Sequence, residues 1–423
     1  MRAGAAVATE PAPPETPGDP AVRFREVRAA TRALIAGLAP EDTVVQSMPE
    51  ASPAKWHLAH TTWFFERFVL AREPGHVPLH AGWDFLFNSY YHSVGPMHAR
   101  PLRGLLSRPT LAEVLDYRAR VDMAIESRLQ RPVDAEMAAL LLLGLHHEQQ
   151  HQELLLTDIK HLFSLNPLEP AYRVLQPRRG GEALPLVFLP GTEGIVEIGH
   201  AGTGFAFDCE TPRHRVLLQP HAIANRCVTN GEFLEFIRDG GYRTSTLWMS
   251  EGWDRVQREG WRHPLYASED MDSEFTLGGR MAMDPAAPVC HLGFFEADAF
   301  ARWAGARLPT EAEWETFAAT VPVQGHFVDS GELRPLPARA GPGPRQLFGD
   351  VWEWTASPYV PYPRYRPPAG AIGEYNGKFM CGQYVLRGGS CVTPAGHLRA
   401  SYRNFWAPGT RWQFAGLRLA RDR

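Results

Sequence analysis

Residues 146–153 read HHEQQHQE, and they sit inside a longer run, DAEMAALLLLGLHHEQQHQELLLTDIKHLF (residues 134–163), whose apolar positions recur every three or four residues. That periodicity makes the run one long helix. Within it His147 and His151 stand at i and i+4, so both leave the same face one turn apart, as two imidazoles must to reach one metal ion. The pentapeptide HEQQH also fits the H-E-x-x-H pattern of zinc proteases, in which Glu148 would be the general base. A histidine pair at this spacing also occurs as a plain surface or core pair, so partners from another helix matter.

Three further periodic runs precede the long one, at residues 24–38, 56–71 and 110–130, separated by Pro and Gly clusters. Four such helices point to a bundle, whose interior is a common place to build a metal site from facing helices. The second run contains KWHLAHTTWFFE (residues 55–66), which places His57 and His60 on an aromatic face. An imidazole buried there without a partner would cost free energy. One of these two, with His147 and His151, gives a three-histidine facial set that leaves positions open for substrate and dioxygen, as imidazole-bound Fe(II) requires. Spacing leaves open which of the two binds, the other being free to cap, to support a ligand by a hydrogen bond, or to pack. His146 and His161 read as solvated helix positions. Residues 83–109, between the second and third helices, are irregular and rich in aromatics and arginine; a loop that long inside a bundle is uncommon without a function.

The chain has 423 residues, 44% hydrophobic and 21% charged, enough for more than one core and for two or three domains. Its formal net charge of −4 supplies no basic field, which argues against nucleic acid as a partner. No run approaches the roughly 18 apolar residues of a membrane helix, and no membrane partner is expected. Residues 1–20 are Ala, Pro, Glu and Thr without an apolar stretch, which reads as a disordered leader rather than a secretion signal, so a cytoplasmic location is expected. Five widely spaced cysteines without a C-x-x-C pair argue against a disulfide framework or a cysteine zinc site. Residues 21–165 thus form the helical unit. Residues 166–185 have a Pro-, Arg- and Gly-rich linker composition. After them LVFLPGTEGIVEIG (186–199) and HRVLLQPHAIA (214–224) alternate as short strands, and short helices follow near 231–239 and 296–304. Residues 186–423 are therefore expected to be an α+β domain.

Longer motifs extend the reading. SPAKWHLAHTTWFFE (52–66), LFNSYYHSVGP (86–96), RPLRGLLSRPT (100–110), HHEQQHQELLLTDIKH (146–161), FGDVWEWTASPY (348–359), EYNGKFMC (374–381), VLRGGS (385–390) and YRNFWAPGTRWQFAGLRLA (402–420) occur in this order. Together they resemble the ergothioneine-biosynthesis sulfoxide synthases, a family with the closely similar selenoneine synthases beside it. The resemblance implies an α+β protein in which a DinB-like four-helix bundle precedes a domain like the formylglycine-generating enzyme, of C-type-lectin-like fold.

It implies Fe(II) as cofactor, His60, His147 and His151 as its ligands, and hercynine (trimethylated histidine), a thiol or selenol donor and O2 as small-molecule partners. It removes the protease reading and leaves Glu148 on the helix surface or behind the ligands. Gln150 and Asn404 match positions that contact the imidazole and carboxylate ends of hercynine. Its quaternary ammonium cannot donate a hydrogen bond and is best held by aromatic faces, for which Phe405, Trp406 and Trp412 are at hand, with Arg411 in the same substrate-binding stretch. Tyr90 and Tyr91 match a tyrosine pair that one branch of the family uses near the iron, where a phenol can deliver a proton or hydrogen atom. Arg100 and Arg103 match positions that grip a donor's carboxylate through the planar guanidinium fork.

The formylglycine-generating enzyme uses a copper-binding cysteine pair, but the matching stretch here, LRASYRNFW (398–406), has no cysteine. The second domain is therefore expected to wall the substrate site, with Trp352, Glu353 and Trp354 as a packing element. Cysteine or γ-glutamylcysteine is the expected donor and a sulfoxide the product. A selenosugar is the alternative, because Met97 and Leu102 replace an arginine and a glutamine usual in the cysteine-using branch, and Trp406 replaces an acidic or smaller aromatic residue.

Overall fold

The protein is described by a computed structural model that covers residues 19–177, 181–202 and 204–423. The leader expected over residues 1–20 lies outside the described residues but for its last two. Five α-helices come first: α1 (Pro20–Ile35), α2 (Ala54–Phe68), the short α3 (Trp83–Phe87), α4 (Leu111–Leu129) and α5 (Ala135–Ser164). Their starts follow from the sequence. Asp19, Thr110 and Asp134 each cap a helix by accepting from a backbone N–H of its first turn, and Pro20 begins α1, where a missing N–H costs nothing. The arginine-rich loop holds α3 and a 3₁₀ turn, Arg100–Leu105, which carries both predicted arginines.

Helices α2 and α5 cross closely. A Cβ on Gly144 would lie 2.6 Å from the Phe65 ring, so only glycine lets the two helices approach at this turn. The crossing stands one turn before His147 and sets the distance between the histidine faces of the two helices.

Two expectations for α5 are corrected here. Glu148 is on no surface: it is wholly buried and accepts from Arg28 Nη1 at 2.7 Å, from Thr31 Oγ1 at 2.5 Å and from Arg118. It ties α1, α4 and α5 through one carboxylate. His146 is not solvated either; it is buried and its ring stacks on Phe205 of the second half at 4.1 Å. The apolar periodicity of α5 is broad because the helix is covered on nearly all sides, which a polar residue on its own cannot reveal.

The second half opens with strands β1 (Phe188–Pro190), β2 (Gly194–Ile198), β3 (His214–Leu218) and β4 (His221–Ala224). Helices α6 (Asn230–Arg238) and α7 (Ser250–Glu259), the hairpin β5 (Ser273–Thr276) and β6 (Gly279–Ala282), and helices α8 (Phe294–Trp303) and α9 (Glu311–Ala318) follow. The chain ends in β7 (Trp352–Pro358), β8 (Tyr384–Arg387), β9 (Asn404–Trp406), β10 (Ala415–Gly416) and β11 (Ala420–Asp422). The sheets are small: β10-β7-β8-β9, β1-β4-β11, and two hairpins. An aromatic-rich core packs α6, α8 and α9 against them.

The packing element read from FGDVWEWTASPY is present. Glu353 is buried between the Arg418 guanidinium at 2.6 Å and the Trp314 indole N–H at 2.7 Å, and Trp354 donates to the Leu292 carbonyl at 2.9 Å. Trp352 reaches across to the bundle. Its indole N–H donates to Glu153 of α5 at 2.6 Å, and Ser390 and Thr393 donate to the same carboxylate at 2.9 and 2.7 Å. One buried acid thus fastens α5 to the second half.

Candidate metal centre

His60 on α2 and His147 and His151 on α5 bring one ring nitrogen each to within 4.8 Å of one another, all three buried. His60 Nε2 and His147 Nε2 are 3.1 Å apart. Two nitrogens each about 2.1 Å from an ion, at right angles across it, are about 3.0 Å apart. The remaining ring atoms fix which nitrogen faces inward. His60 donates its Nδ1–H to the Phe87 carbonyl at 2.5 Å, which leaves Nε2 bare, and Trp56 and Trp63 stack on its ring at 4.5 and 5.7 Å.

His57, the alternative left open by spacing, stands behind the cluster. Its Nδ1 is 2.8 Å from His151 Nδ1 and its Nε2 is 3.0 Å from Asp158 Oδ2. For His151 to present Nε2 inward, its Nδ1–H donates to His57, which passes its own Nε2–H to Asp158. This is the carboxylate-backed arrangement that orients ligating histidines. Burial, above all, pulls His60 and His151 far below the usual imidazole range and His147 to about 4. Neutral imidazoles are what a cation needs, and His147 Nδ1 is buried with no partner among the described residues.

A cleft opens beside His151, lined by Trp56, Tyr90, Arg100, Arg103, Trp406 and Trp412 among others. The bundle's loop thus meets β9 and the segment that follows it in the second half. Arg103 is buried; it donates to Ser52 Oγ and Ser89 Oγ, each at 2.8 Å, and lies 3.4 Å over the Trp56 ring. Burial first, then the neighbouring Arg100, pulls it down to about 9. Arg100 donates to the Tyr90 hydroxyl. Burial pushes that phenol up, yet Arg100 and Arg103 together bring it below the usual tyrosine range. No carboxylate of the described residues pairs with either arginine within 4.0 Å. Trp406 and Trp412 meet edge to face at 6.0 Å, and the Trp406 indole N–H has no partner among the described residues.

The opposite flank is built around Gln150. Its amide N–H donates to the Tyr402 hydroxyl at 2.8 Å, and its amide oxygen accepts from the Tyr375 hydroxyl at 3.0 Å. The Tyr375 ring is 6.3 Å from that of His147 and 5.6 Å from that of Tyr90, so it joins the two flanks. Tyr375 is absent from the residues singled out by sequence. It lies in the quoted EYNGKFMC, in irregular backbone with no periodicity to mark it, and only its place in that motif could have flagged it.

Other predicted residues lie farther out. The Tyr91 ring is buried against Phe68 and Trp63 at 5.0 and 5.9 Å. Asn404 accepts from the Phe405 N–H at 2.8 Å, and Phe405 stacks on Tyr359 at 4.2 Å as part of the second half's core. Arg411 is the clear departure from expectation. Its guanidinium is occupied by Glu296 at 2.8 and 2.9 Å and lies over Trp261, so it braces α8 and is absent from the cleft.

Comparison with known proteins bears on this arrangement. Residues 23–155 match the model of the DinB superfamily, and residues 185–341 and 338–423 match the sulfatase-modifying factor enzyme 1-like domain. The hercynine oxygenase of Mycolicibacterium thermoresistibile is 35% identical over 406 residues, spanning 88% of each chain. The chain belongs to the hercynine oxygenase family. A second hercynine oxygenase, from Mycobacterium tuberculosis, is 33% identical over 402 residues, 88% of this chain and 92% of that one. Ergothioneine biosynthesis protein 1 of Schizosaccharomyces pombe is 28% identical over 229 residues, 52% of this chain and 28% of that protein. Membership in the hercynine oxygenase family makes the chain an oxidoreductase and bears out the family and the two-part α+β fold read from the motifs.

Proposed function

We propose that the chain is a mononuclear non-heme iron(II), O2-dependent synthase that joins sulfur to the imidazole C2 of hercynine, with cysteine or γ-glutamylcysteine as donor and a sulfoxide as product. Residues 21–165 carry the iron site and residues 186–423 close over it, joined by residues 166–185. The observation that carries this reading is the set of three buried, neutral imidazoles whose inward nitrogens are spaced for one ion, in a chain 35% identical to a hercynine oxygenase. Fe(II) held by His60, His147 and His151 supplies the electron for dioxygen reduction and open positions for the donor atom.

The chain's own residues do the rest. Gln150 offers its amide to the imidazole end of hercynine, and Asn404 its amide to the carboxylate end. Arg103, a buried cation with no carboxylate of the described residues within 4.0 Å, draws the donor's carboxylate into the cleft, with Arg100 alongside. Tyr90, which lines the cleft with its phenol held by Arg100, and Tyr375, beside His147, are the two phenols placed to move a proton at the reacting centre.

The second reading keeps the site and changes the donor to a selenosugar, which makes the chain a selenoneine synthase. It is favoured by the Trp406 indole N–H, which has no partner among the described residues and can donate to a hydroxyl of a neutral donor but not to an ammonium. Incubation of iron-loaded protein with hercynine and a mixture of cysteine, γ-glutamylcysteine and a selenosugar, with mass spectrometry of the products, tests both readings. A sulfoxide of hercynine supports the first and a selenium adduct the second. Oxygen uptake that never depends on hercynine ends both.

A further inference from the structure

Behind Gln150 a hydrogen-bonded chain leads away from the metal side of α5 toward solvent. Half-buried Arg23 of α1 places Nη2 3.0 Å from His146 Nε2, His146 Nδ1 is 3.0 Å from His397 Nδ1, and His397 Nε2 is 3.1 Å from the Tyr402 hydroxyl. A guanidinium has five donors and no acceptor. His146 must therefore accept at Nε2, so its ring proton sits on Nδ1, facing His397. That proton can go only to His397 Nδ1, so His397 in turn carries its own on Nε2 and donates to Tyr402. Gln150 donates to the same phenol oxygen at 2.8 Å. Both lone pairs of that oxygen are then taken, and among the described residues no acceptor receives the Tyr402 proton.

We propose that Arg23, His146 and His397 form a positioning chain that fixes the donor sense of every hydrogen bond down to Tyr402, so that Tyr402 is a hydrogen-bond donor to the bound betaine. The inference rests on the hercynine reading for the identity of the betaine, but not for the proton positions. Reversal of the chain, with Tyr402 donating to His397, would need a proton on His146 Nε2, and Arg23 forbids it. His146 and His397 are therefore positioning residues, and the buried pair links α5 to the second half with one defined polarity. A purely structural pair would hold the two halves together equally well with the protons reversed.

Two measurements test this. Neutron diffraction of the iron-loaded protein without substrate is expected to show deuterium on Nδ1 of His146 and on Nε2 of His397. Deuterium on Nε2 of His146 or on Nδ1 of His397 overturns the assignment, whatever the substrate proves to be. Hercynine affinity, measured by calorimetry on iron-loaded protein, then tests the consequence. Tyr402→Phe is expected to weaken binding about tenfold with iron content kept, and Arg23→Leu about threefold or more. The double variant is expected to bind no more weakly than Tyr402→Phe alone, because Arg23 acts through that hydroxyl. Additive losses, or Tyr402→Phe binding like wild type, overturn the proposal. Wild-type protein that binds no hercynine while showing the expected deuterium positions overturns the hercynine reading and the betaine contact together and leaves the proton order standing.

Discussion

At the scale of single residues, the environment separates side chains that the sequence leaves equivalent. His57 and His60 are three positions apart on one helix, yet His60 points its bare nitrogen at His147 while His57 lies between His151 and Asp158. Their different roles give different expected losses. His60→Ala removes one of three donors and should abolish iron binding, whereas His57→Ala removes only the group that orients His151 and should weaken it about 10- to 100-fold. Anaerobic Fe(II) titration of the two variants distinguishes them, and equal affinities would contradict the assignment. The tyrosines divide in the same way. Tyr375→Phe should leave iron content unchanged and lower product formation about tenfold or more, while Tyr91→Phe, buried on Phe68 and Trp63, should do less; product assays with iron analysis decide. The histidine triad was legible because helical periodicity and motif placed its members. Tyr375 and the bracing role of Arg411 were not, because irregular backbone carries no period and an ion pair with Glu296, more than a hundred residues away, leaves no local trace.

At the scale of elements, the bundle is fastened from inside. Burial alone would push the Glu148 carboxyl up, but Arg118 and Arg28 override it and hold it down to about 2. A carboxyl whose folded value is depressed stabilises the fold above its unfolded value, near 4.3. That contribution is lost as pH falls from there through about 2. Glu148→Gln strips the charge at every pH and leaves two arginines buried without an acid, so it should cost about 3–5 kcal/mol. Urea melts at pH 7 and pH 3 test this: the gap between wild type and variant should narrow at the lower pH. The helices themselves could be read from apolar spacing and caps. The depth of Glu148 could not, since the long fourth helix turns polar residues toward two different partners at once.

At the scale of the whole molecule, α5 belongs to both halves. Its inner face carries the histidines, and two positions past His151 the helix puts Glu153 under Trp352, Ser390 and Thr393. An amide oxygen cannot serve three donors as well as a carboxylate does, so Glu153→Gln should lower stability by about 1–3 kcal/mol while leaving Fe(II) affinity near wild type. Guanidinium unfolding and metal titration on the same sample separate the two effects. The order of the two folds along the chain was readable from composition and motifs. The seam between them was not, because its contacts join residues some two hundred positions apart.

The donor set has one more consequence. Three imidazoles without a carboxylate among the ligands contribute no negative charge, so a divalent cation among them would keep its double charge at first contact; in the adjoining cleft Arg100 and Arg103 add positive charge, with Glu50 and Asp158 in the same lining. With Fe(II) bound as proposed, such a centre would favour anionic guests over neutral ones and lower the pKa of any thiol or selenol that reaches it. On that reading the ionised, nucleophilic form of the donor would be selected before any side chain has recognised the remainder of it.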